Sequence, residues 1–593
     1  MATPTKIRPG TALARLFRTA IRAGDAVSFS LPGGAALFMA GEPADQLFML
    51  RTGRLAAIRR EGGQETRFLG LIRAGEPAGE MSMITGAPHS ADLIAVRDCE
   101  ILALPRAAFF RAIETEPALM IELARLMIGR VREATETASL TGPSVFGFIG
   151  VAPGVEVRAL VERIAGAVRR LGYSAAVAGV EARTAPTAWF SNIEHAHDFV
   201  FYAAEDDETG WKALLARQVD RLVRVAPGGA PPAPNLGSAG LGPLQAQRLV
   251  DLILVQPPDA DAPIGSEAWA GALAPSRLFQ VREAHGPDVE RMARVIAGQA
   301  VSLVLSGGAA RAYAHIGAVA ALRERQVPID FVAGVSTGAV IAAGVAMGWS
   351  DAELDRRIRK AFVETSPLDD IAFPLVAMTH GRKVRARLAE HFGDREIGDL
   401  WLPFFCVSSN LTTGVYELHR RGLLREALRA SLALPGILPP VVKGADVLVD
   451  GAVINNFPAD IMRSIQPGPI VGVDVGRGRS VDAQDLMDPA SVWRWLLSGA
   501  WRRGPPIVSL LMRAATVTTG PSIAAAREAT DVLVLPMVDD IEIRDWKAYA
   551  PAVAAGRQAT LAALDKLAGP VTALRRRASI DDPAANATAG AAG

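Results

Sequence analysis

The stretch from Val301 to Ser350 reads VSLVLSGGAARAYAHIGAVAALRERQVPIDFVAGVSTGAVIAAGVAMGWS. It opens with an apolar, β-prone run through Val301, Leu303, Val304 and Leu305, breaks at Ser306-Gly307-Gly308-Ala309-Ala310-Arg311, and resumes as an Ala-rich helical pattern. This predicts a strand, a glycine loop and a helix. A second strand-like piece, Ile329 to Ala333, runs into Gly334-Val335-Ser336-Thr337-Gly338 and then another small, apolar helix. A G-x-S-x-G motif set between a strand and a helix is the sequence form of a nucleophile elbow.

Such a turn pushes a serine Oγ out of the bend, and flanking glycines remove Cβ atoms that would collide. Ser336 is therefore the candidate nucleophile, with Gly334 and Gly338 as the elbow glycines. The loop Gly307, Gly308 and Ala309 can aim consecutive backbone N–H groups at one point, as an oxyanion hole requires. For a base, His380, His391 and His419 follow in the chain, yet none has a setting that marks it out. Val447-Leu448-Val449-Asp450-Gly451-Ala452 does stand out: a strand ends in an Asp-Gly turn, and Asn455-Asn456-Phe457-Pro458 follow to fix it. A Ser336–Asp450 dyad is the expectation. The apolar run Phe331 to Met347 falls short of a bilayer span and is read as the buried elbow helix.

These motifs resemble patatin-like phospholipases, with a G-G-x-R-type loop, the serine elbow and an Asp-Gly-Ala box. Ala430 to Pro440 (ASLALPGILPP) resembles that family's block before the aspartate, and Asp399 to Thr412 is similar to the neuropathy target esterase branch. The resemblance implies a serine lipid esterase in which Ser336 attacks the acyl carbonyl, Asp450 takes its proton, and Gly307, Gly308 and Ala309 hold the oxyanion. Arg311 anchors the glycine loop or meets an anionic head group. The chain departs from the family at Ala309 and Ala312, where glycine is usual; alanine is harmless at negative φ and strained at positive φ. His315, one helical turn past Arg311, is read as a packed helix residue.

Outward from this core, Val27 to Leu104 carries short alternating strands punctuated by glycine turns, which predicts a small β-roll, with helical stretches flanking it, notably Arg106 to Ala138. Leu37 to Phe48 and Gly79 to Ala91 resemble a cyclic nucleotide-binding domain. Gly79, Glu80 and Ser90 match its phosphate cassette, but His89 stands where the family has arginine. A neutral imidazole supplies no bidentate cation, so a degenerate sensor or interaction domain is favoured over ordinary cyclic nucleotide binding. From about Pro143 to Gly298, strands alternate with helices as in a doubly wound α/β domain, similar to the middle domain of bacterial relatives of neuropathy target esterase. Its loop Val151 to Glu156 lacks Gly-Lys-Ser/Thr, which argues against a nucleotide-hydrolysing P-loop. The expected organisation is multidomain α/β: residues 1–141 cyclic nucleotide-binding-like, 142–298 α/β, 299–570 a patatin-like α/β hydrolase domain, and 571–593 a disordered tail. Ser491 to Arg503 mixes tryptophans with arginines, suiting either a covering helix or a bilayer interface.

Composition narrows the class. Of 593 residues, 50% are hydrophobic and 21% charged, with net charge +1, enough apolar surface for several cores and no global field. Scattered basic residues and 6% aromatics argue against a nucleic-acid surface. Cys99 and Cys406, far apart in apparent strands, predict buried thiols in a reducing compartment. With no signal-peptide pattern, the expected location is cytoplasmic or peripheral at the inner membrane. The expected activity is hydrolysis of a phospholipid or lysophospholipid, needing no metal or organic cofactor. Two other readings stay open: a nucleotide-responsive regulatory or scaffold protein with weak esterase activity, and an acyltransferase.

Overall fold

The computed structural model describes residues 12–61, 65–135, 143–233, 250–365, 369–373, 376–476, 520–542 and 545–576. The described chain parts into two compact units, the first running to Ala226 and the second from Ile253 onward. That division falls within the predicted middle domain, at the strand Val250–Gln256.

In the first unit, Val27–Leu31, Cys99–Pro105, Gln46–Thr52 and Pro77–Ala78 pair in that order as an antiparallel sheet. Ala36–Phe38, Asp92–Ala95, Arg54–Glu61 and Glu65–Arg73 form another. This is the predicted β-roll. The helical stretch expected from Arg106 to Ala138 is two helices, Arg106–Thr115 and Ala118–Thr135. Pro117 separates them, because proline has no N–H for the preceding helix and is preorganised to start the next. Four parallel strands follow in the order Ala175–Ala178, Phe199–Ala204, Val145–Gly150 and Arg221–Pro227. Ion pairs from Arg54 to Asp220 at the sheet (2.7 Å) and from Arg97 to Glu194 on the helix Thr187–Ala196 (2.6 Å) tie the roll to this α/β layer within the unit.

The second unit is built on one sheet. Its strands are β1 (Ser302–Leu305), β2 (Phe331–Val335), β3 (Phe404–Asn410), β4 (Tyr416–His419), β5 (Val441–Lys443), β6 (Asp446–Asp450), β7 (Ile470–Val473) and β8 (Val532–Val534), in the order β5-β6-β3-β2-β1-β7-β8 with β4 beside β3. The central β3, β2, β1, β7 and β8 are parallel and apolar, as strands covered on both faces must be. The helices that matter to the site are α1 (Ala314–Glu324), α2 (Thr337–Ala346), α3 (Arg382–Phe392), α4 (Leu424–Ser431) and α5 (Tyr549–Leu564). All ten residues of α2 are buried, which explains its unbroken apolar sequence. β2 runs two residues further than the sequence pattern suggested, through Gly334 and Val335 to the very start of the serine turn.

The register of β3 positions the chemistry. Cys406 pairs with Gly334 on one edge and His419 on the other, while Ser408 pairs with Asp450 and Glu417. β4 therefore occupies one edge of β3, and β2 and β6 share the other end to end. Val335 and Asp450 face successive residues, Val407 and Ser408. Two segments far apart in sequence thus meet where parallel β2 ends and antiparallel β6 ends.

Helices α1 and α5 approach through glycines. A Cβ on Gly556 would overlap the Ala314 carbonyl, and one on Gly317 would overlap that of Val553. Because the obstruction is backbone on both sides, neither helix can yield by changing a rotamer. Gly556→Ala is expected to destabilise the second unit by roughly 2–4 kcal/mol, read from denaturant unfolding; a change under about 0.5 kcal/mol would mean the helices can separate freely.

Both cysteines are free and buried. Among the described residues no helix is long and apolar enough to cross a membrane, and no cluster of His, Cys, Asp or Glu is placed to hold a metal ion. The Trp- and Arg-containing stretch Ser491 to Arg503 lies outside the described residues, as does the tail beyond Arg576.

Candidate active site

Ser336 sits between β2 and α2 at φ 54°, ψ −130°, a left-handed conformation that an L-residue holds only when its surroundings enforce it. The surroundings do so through the two glycines. A Cβ at Gly334 would stand 2.7 Å from Ala339 N and Gly338 O, and one at Gly338 would stand 2.7 Å from Leu305 O. The Ser336 N–H donates to Ser431 Oγ (2.9 Å), and the Ser431 hydroxyl donates to Val407 O (2.7 Å). Ser431, at the end of α4, thereby pins the elbow to β3. Sequence reasoning assigned it no role, although it lies in the Ala430 to Pro440 block.

The Ser336 hydroxyl donates to Asp450 Oδ2 at 2.7 Å, and Ala452 N–H donates to Asp450 Oδ1 at 2.9 Å. Asp450 is fully buried. Burial pushes its carboxyl up to about 6, with the Ala452 and Ser336 hydrogen bonds pulling the other way. A carboxylate of this kind is a better proton acceptor than an ordinary surface aspartate.

The histidines are placed elsewhere. His315 is buried with Nε2 2.8 Å from Ser306 O, and burial pushes its pKa down to about 4. His419 Nε2 lies 2.8 Å from Ser408 Oγ and is likewise pushed down to about 4, chiefly by burial. Among the described residues no imidazole hydrogen-bonds Ser336. The His315 packing matches its reading from sequence.

The glycine loop follows β1. Gly307 is held from both sides of its peptide: its N–H donates to Asn456 O (3.2 Å), and Asn456 Nδ2 donates to Gly307 O (3.2 Å). The Gly307 N–H, expected from sequence to face an oxyanion, is thus already engaged. Gly308 and Ala309 N–H have no acceptor among the described residues. Ala309 has φ 48°, the strained alternative for that departure from glycine, at a cost of order 1 kcal/mol. Ala312 is not among the positive-φ residues, so the second departure is harmless. Arg311 is buried and its Nε donates to Ile541 O at 2.7 Å, tying the loop to the segment after β8.

In the first unit, Gly79 (φ 82°) opens the short helix Glu80–Thr85, with Glu80 buried and Ser90 exposed. His89 is buried with its ring stacked on Phe38, centroids 3.6 Å apart. Burial lowers its pKa below the ordinary histidine value, so the ring is neutral at pH 7 and offers no cation to a phosphate.

Residues 303–463 match the family described as patatin-like phospholipase, and residues 28–116 match the cyclic nucleotide-binding domain. An uncharacterized NTE family protein of Mycobacterium tuberculosis is 30% identical over 556 residues, covering 90% of this chain and 91% of its own. Patatin-like phospholipase domain-containing protein 6 of Mus musculus is 28% identical over 542 residues, covering 80% of this chain and 40% of its own. A solved cyclic nucleotide-binding domain from Methylobacillus flagellatus KT is 27% identical, covering 20% of this chain and 67% of its own, with a TM-score of 0.19.

Proposed function

This chain belongs to the NTE family and is a lipid carboxylic ester hydrolase with a patatin-like phospholipase domain, and from that premise we propose that Ser336 and Asp450 act as a catalytic dyad through an acyl-enzyme. The observation that carries the reading is the 2.7 Å hydrogen bond from Ser336 Oγ to a fully buried carboxylate oxygen. As Ser336 Oγ attacks the acyl carbonyl, its proton passes to Asp450 Oδ2. The developing oxyanion is held by the Gly308 and Ala309 N–H groups, with Gly307 fixed by Asn456 to aim them. Collapse breaks the ester C–O bond, and the departing alcohol takes the proton from Asp450. Water then adds to the acyl-enzyme, giving a proton to Asp450, and the fatty acid leaves as Ser336 Oγ regains it.

The substrate we propose is a phospholipid or lysophospholipid. The test is fatty-acid release from each, with labelling by a fluorophosphonate, which needs an activated serine. Absence of both from the purified full chain would overturn the dyad. The buried, uncharged His89 stacked on Phe38 favours a first-unit roll that does not respond to cyclic nucleotide. Adding cyclic AMP or cyclic GMP to the same assay tests this, and an unchanged rate is the expected result.

A pH dependence follows from Asp450. The base must be ionised, and its carboxyl titrates near 6. Below that value kcat/KM is expected to fall about tenfold per pH unit, and above it to level off. A profile flat down to pH 4.5 would remove Asp450 as the base.

A further inference from the structure

We propose that the rim of the second unit beyond Asp450 docks onto an anionic phospholipid bilayer, presenting the active site to lipid. The proposal rests on the lipid hydrolase reading above for its purpose, but on different residues. β6 meets β3 at Asp450–Ser408, and from there the two strands run on together past the end of β2: Val449 pairs with Ser409 and Leu448 with Asn410, and Leu411 N–H donates to Val447 O. At about 3.3 Å per residue this carries Leu411 about 10 Å beyond the dyad. Along the same hairpin Val442 pairs with Val447. Asn410 and Leu448 are buried, and just beyond them Leu411 and Val442 emerge, 56% and 70% exposed. Val415, at the turn into β4, is exposed as well.

A second exposed apolar group lies on a segment hydrogen-bonded to the chain that leads into β5. Met378 N–H donates to Gly436 O and Thr379 N–H to Ile437 O, a segment that reaches Asp450 through its N–H bond to Ala433 O. The chain leading into Met378 presents Ile371 and Phe373, the latter 82% exposed. Single exposed apolar residues are ordinary on a protein surface, but several long ones gathered at the end of the sheet that holds the nucleophile are not.

Charge selects the partner. α3 begins directly after this segment with Arg382, Lys383 and Arg385, all exposed, and no acidic residue in its first turn. Cations at a helix N-terminus oppose the dipole, so helix stability does not account for them. Lys383 pairs with Asp369 at 2.6 Å and Asp370 Oδ2 accepts from the Arg382 N–H at 2.7 Å, whereas the Arg382 and Arg385 guanidinium groups make no ion pair among the described residues. Apolar tips flanked by free guanidinium groups fit a bilayer that offers an acyl boundary to one and phosphates to the other.

The test uses the full chain in flotation with vesicles of phosphatidylcholine alone or mixed with phosphatidylglycerol, alongside hydrolysis of water-soluble p-nitrophenyl butyrate. The variants are Phe373→Asp/Leu411→Asp/Val442→Asp and Arg382→Gln/Arg385→Gln. Wild type is expected to float with the mixed vesicles. The first variant should bind them at least tenfold more weakly, and the second should lose the preference for phosphatidylglycerol, with both keeping the soluble-ester rate within about twofold. Unchanged vesicle binding by the triple variant overturns the proposal, as does a wild type that ignores vesicles but self-associates through this face. A wild type that binds vesicles as described and hydrolyses no ester would support the docking surface and overturn the catalytic reading instead.

Discussion

Ser336→Ala is expected to lower kcat/KM for ester hydrolysis by at least about 10⁴-fold and to abolish fluorophosphonate labelling. The proposed reaction forms its covalent intermediate on one oxygen, and none of the neighbours replaces it: Ser431 Oγ is engaged with Ser336 N–H and Val407 O, and Ser306 Oγ accepts from Val475 N–H. The substitution removes only that oxygen from an elbow whose backbone is fixed by Gly334 and Gly338, so the fold is retained. It also leaves Asp450 Oδ2 buried without its donor, which favours the protonated carboxyl still more. Steady-state kinetics on a chromogenic ester, with circular dichroism to check the fold, measures the effect. Residual activity within a hundredfold of wild type would assign the chemistry to another nucleophile.

The elbow was legible because its motif is local, a G-x-S-x-G between a strand and a helix: Gly334 faces the first turn of α2 a few residues on, although Gly338 faces the end of β1, about 30 residues back. Asp450 was legible as the residue ending a strand at an Asp-Gly turn. What local pattern does not contain is the end-to-end meeting of β2 and β6 along β3, which brings together side chains 114 residues apart. The supporting residues are hidden for the same reason. Ser431 reaches Ser336 N–H across 95 residues, and Asn456 reaches Gly307 O across 149, both by side-chain-to-backbone bonds that leave no periodicity in sequence. The Gly307 N–H, in turn, is taken by the Asn456 backbone carbonyl, which is why the proposed oxyanion hole uses only the Gly308 and Ala309 donors. The strain at Ala309 was visible only as a conditional, since a residue type does not state its own φ. In the β-roll, the turn glycines read from sequence do take positive φ, as at Gly41, Gly53 and Gly75. The stacking of His89 on Phe38 depends on a pairing of distant strands and was not readable.

Asp450→Asn separates function from stability. The amide is nearly isosteric: its oxygen can accept from Ala452 N–H as Oδ1 does, and its nitrogen can face Ser336 Oγ in place of Oδ2. It accepts no proton, so kcat/KM is expected to fall by roughly 10³–10⁴-fold, with no inflection left near pH 6. Stability should move the other way. In the wild type, burial holds the carboxyl near 6 against an ordinary value of 3.8. A pKa raised on folding means that stability is greatest below about pH 4, where the carboxyl is protonated in both states, and declines as pH rises through about 6, where the folded state must carry a buried charge. The shift of about two units corresponds to an order of 1–3 kcal/mol, which the asparagine does not forfeit. The variant should therefore match the wild type in unfolding only below about pH 4 and exceed it at pH 8, seen as a higher Tm for the transition of the second unit. A variant less stable than wild type at pH 8 would mean that the carboxylate is held by more than the two hydrogen bonds described, and that its charge is stabilised in place and not strained. The site would then owe its reactivity to Ser336 geometry alone, because a comfortable carboxylate is a poor base.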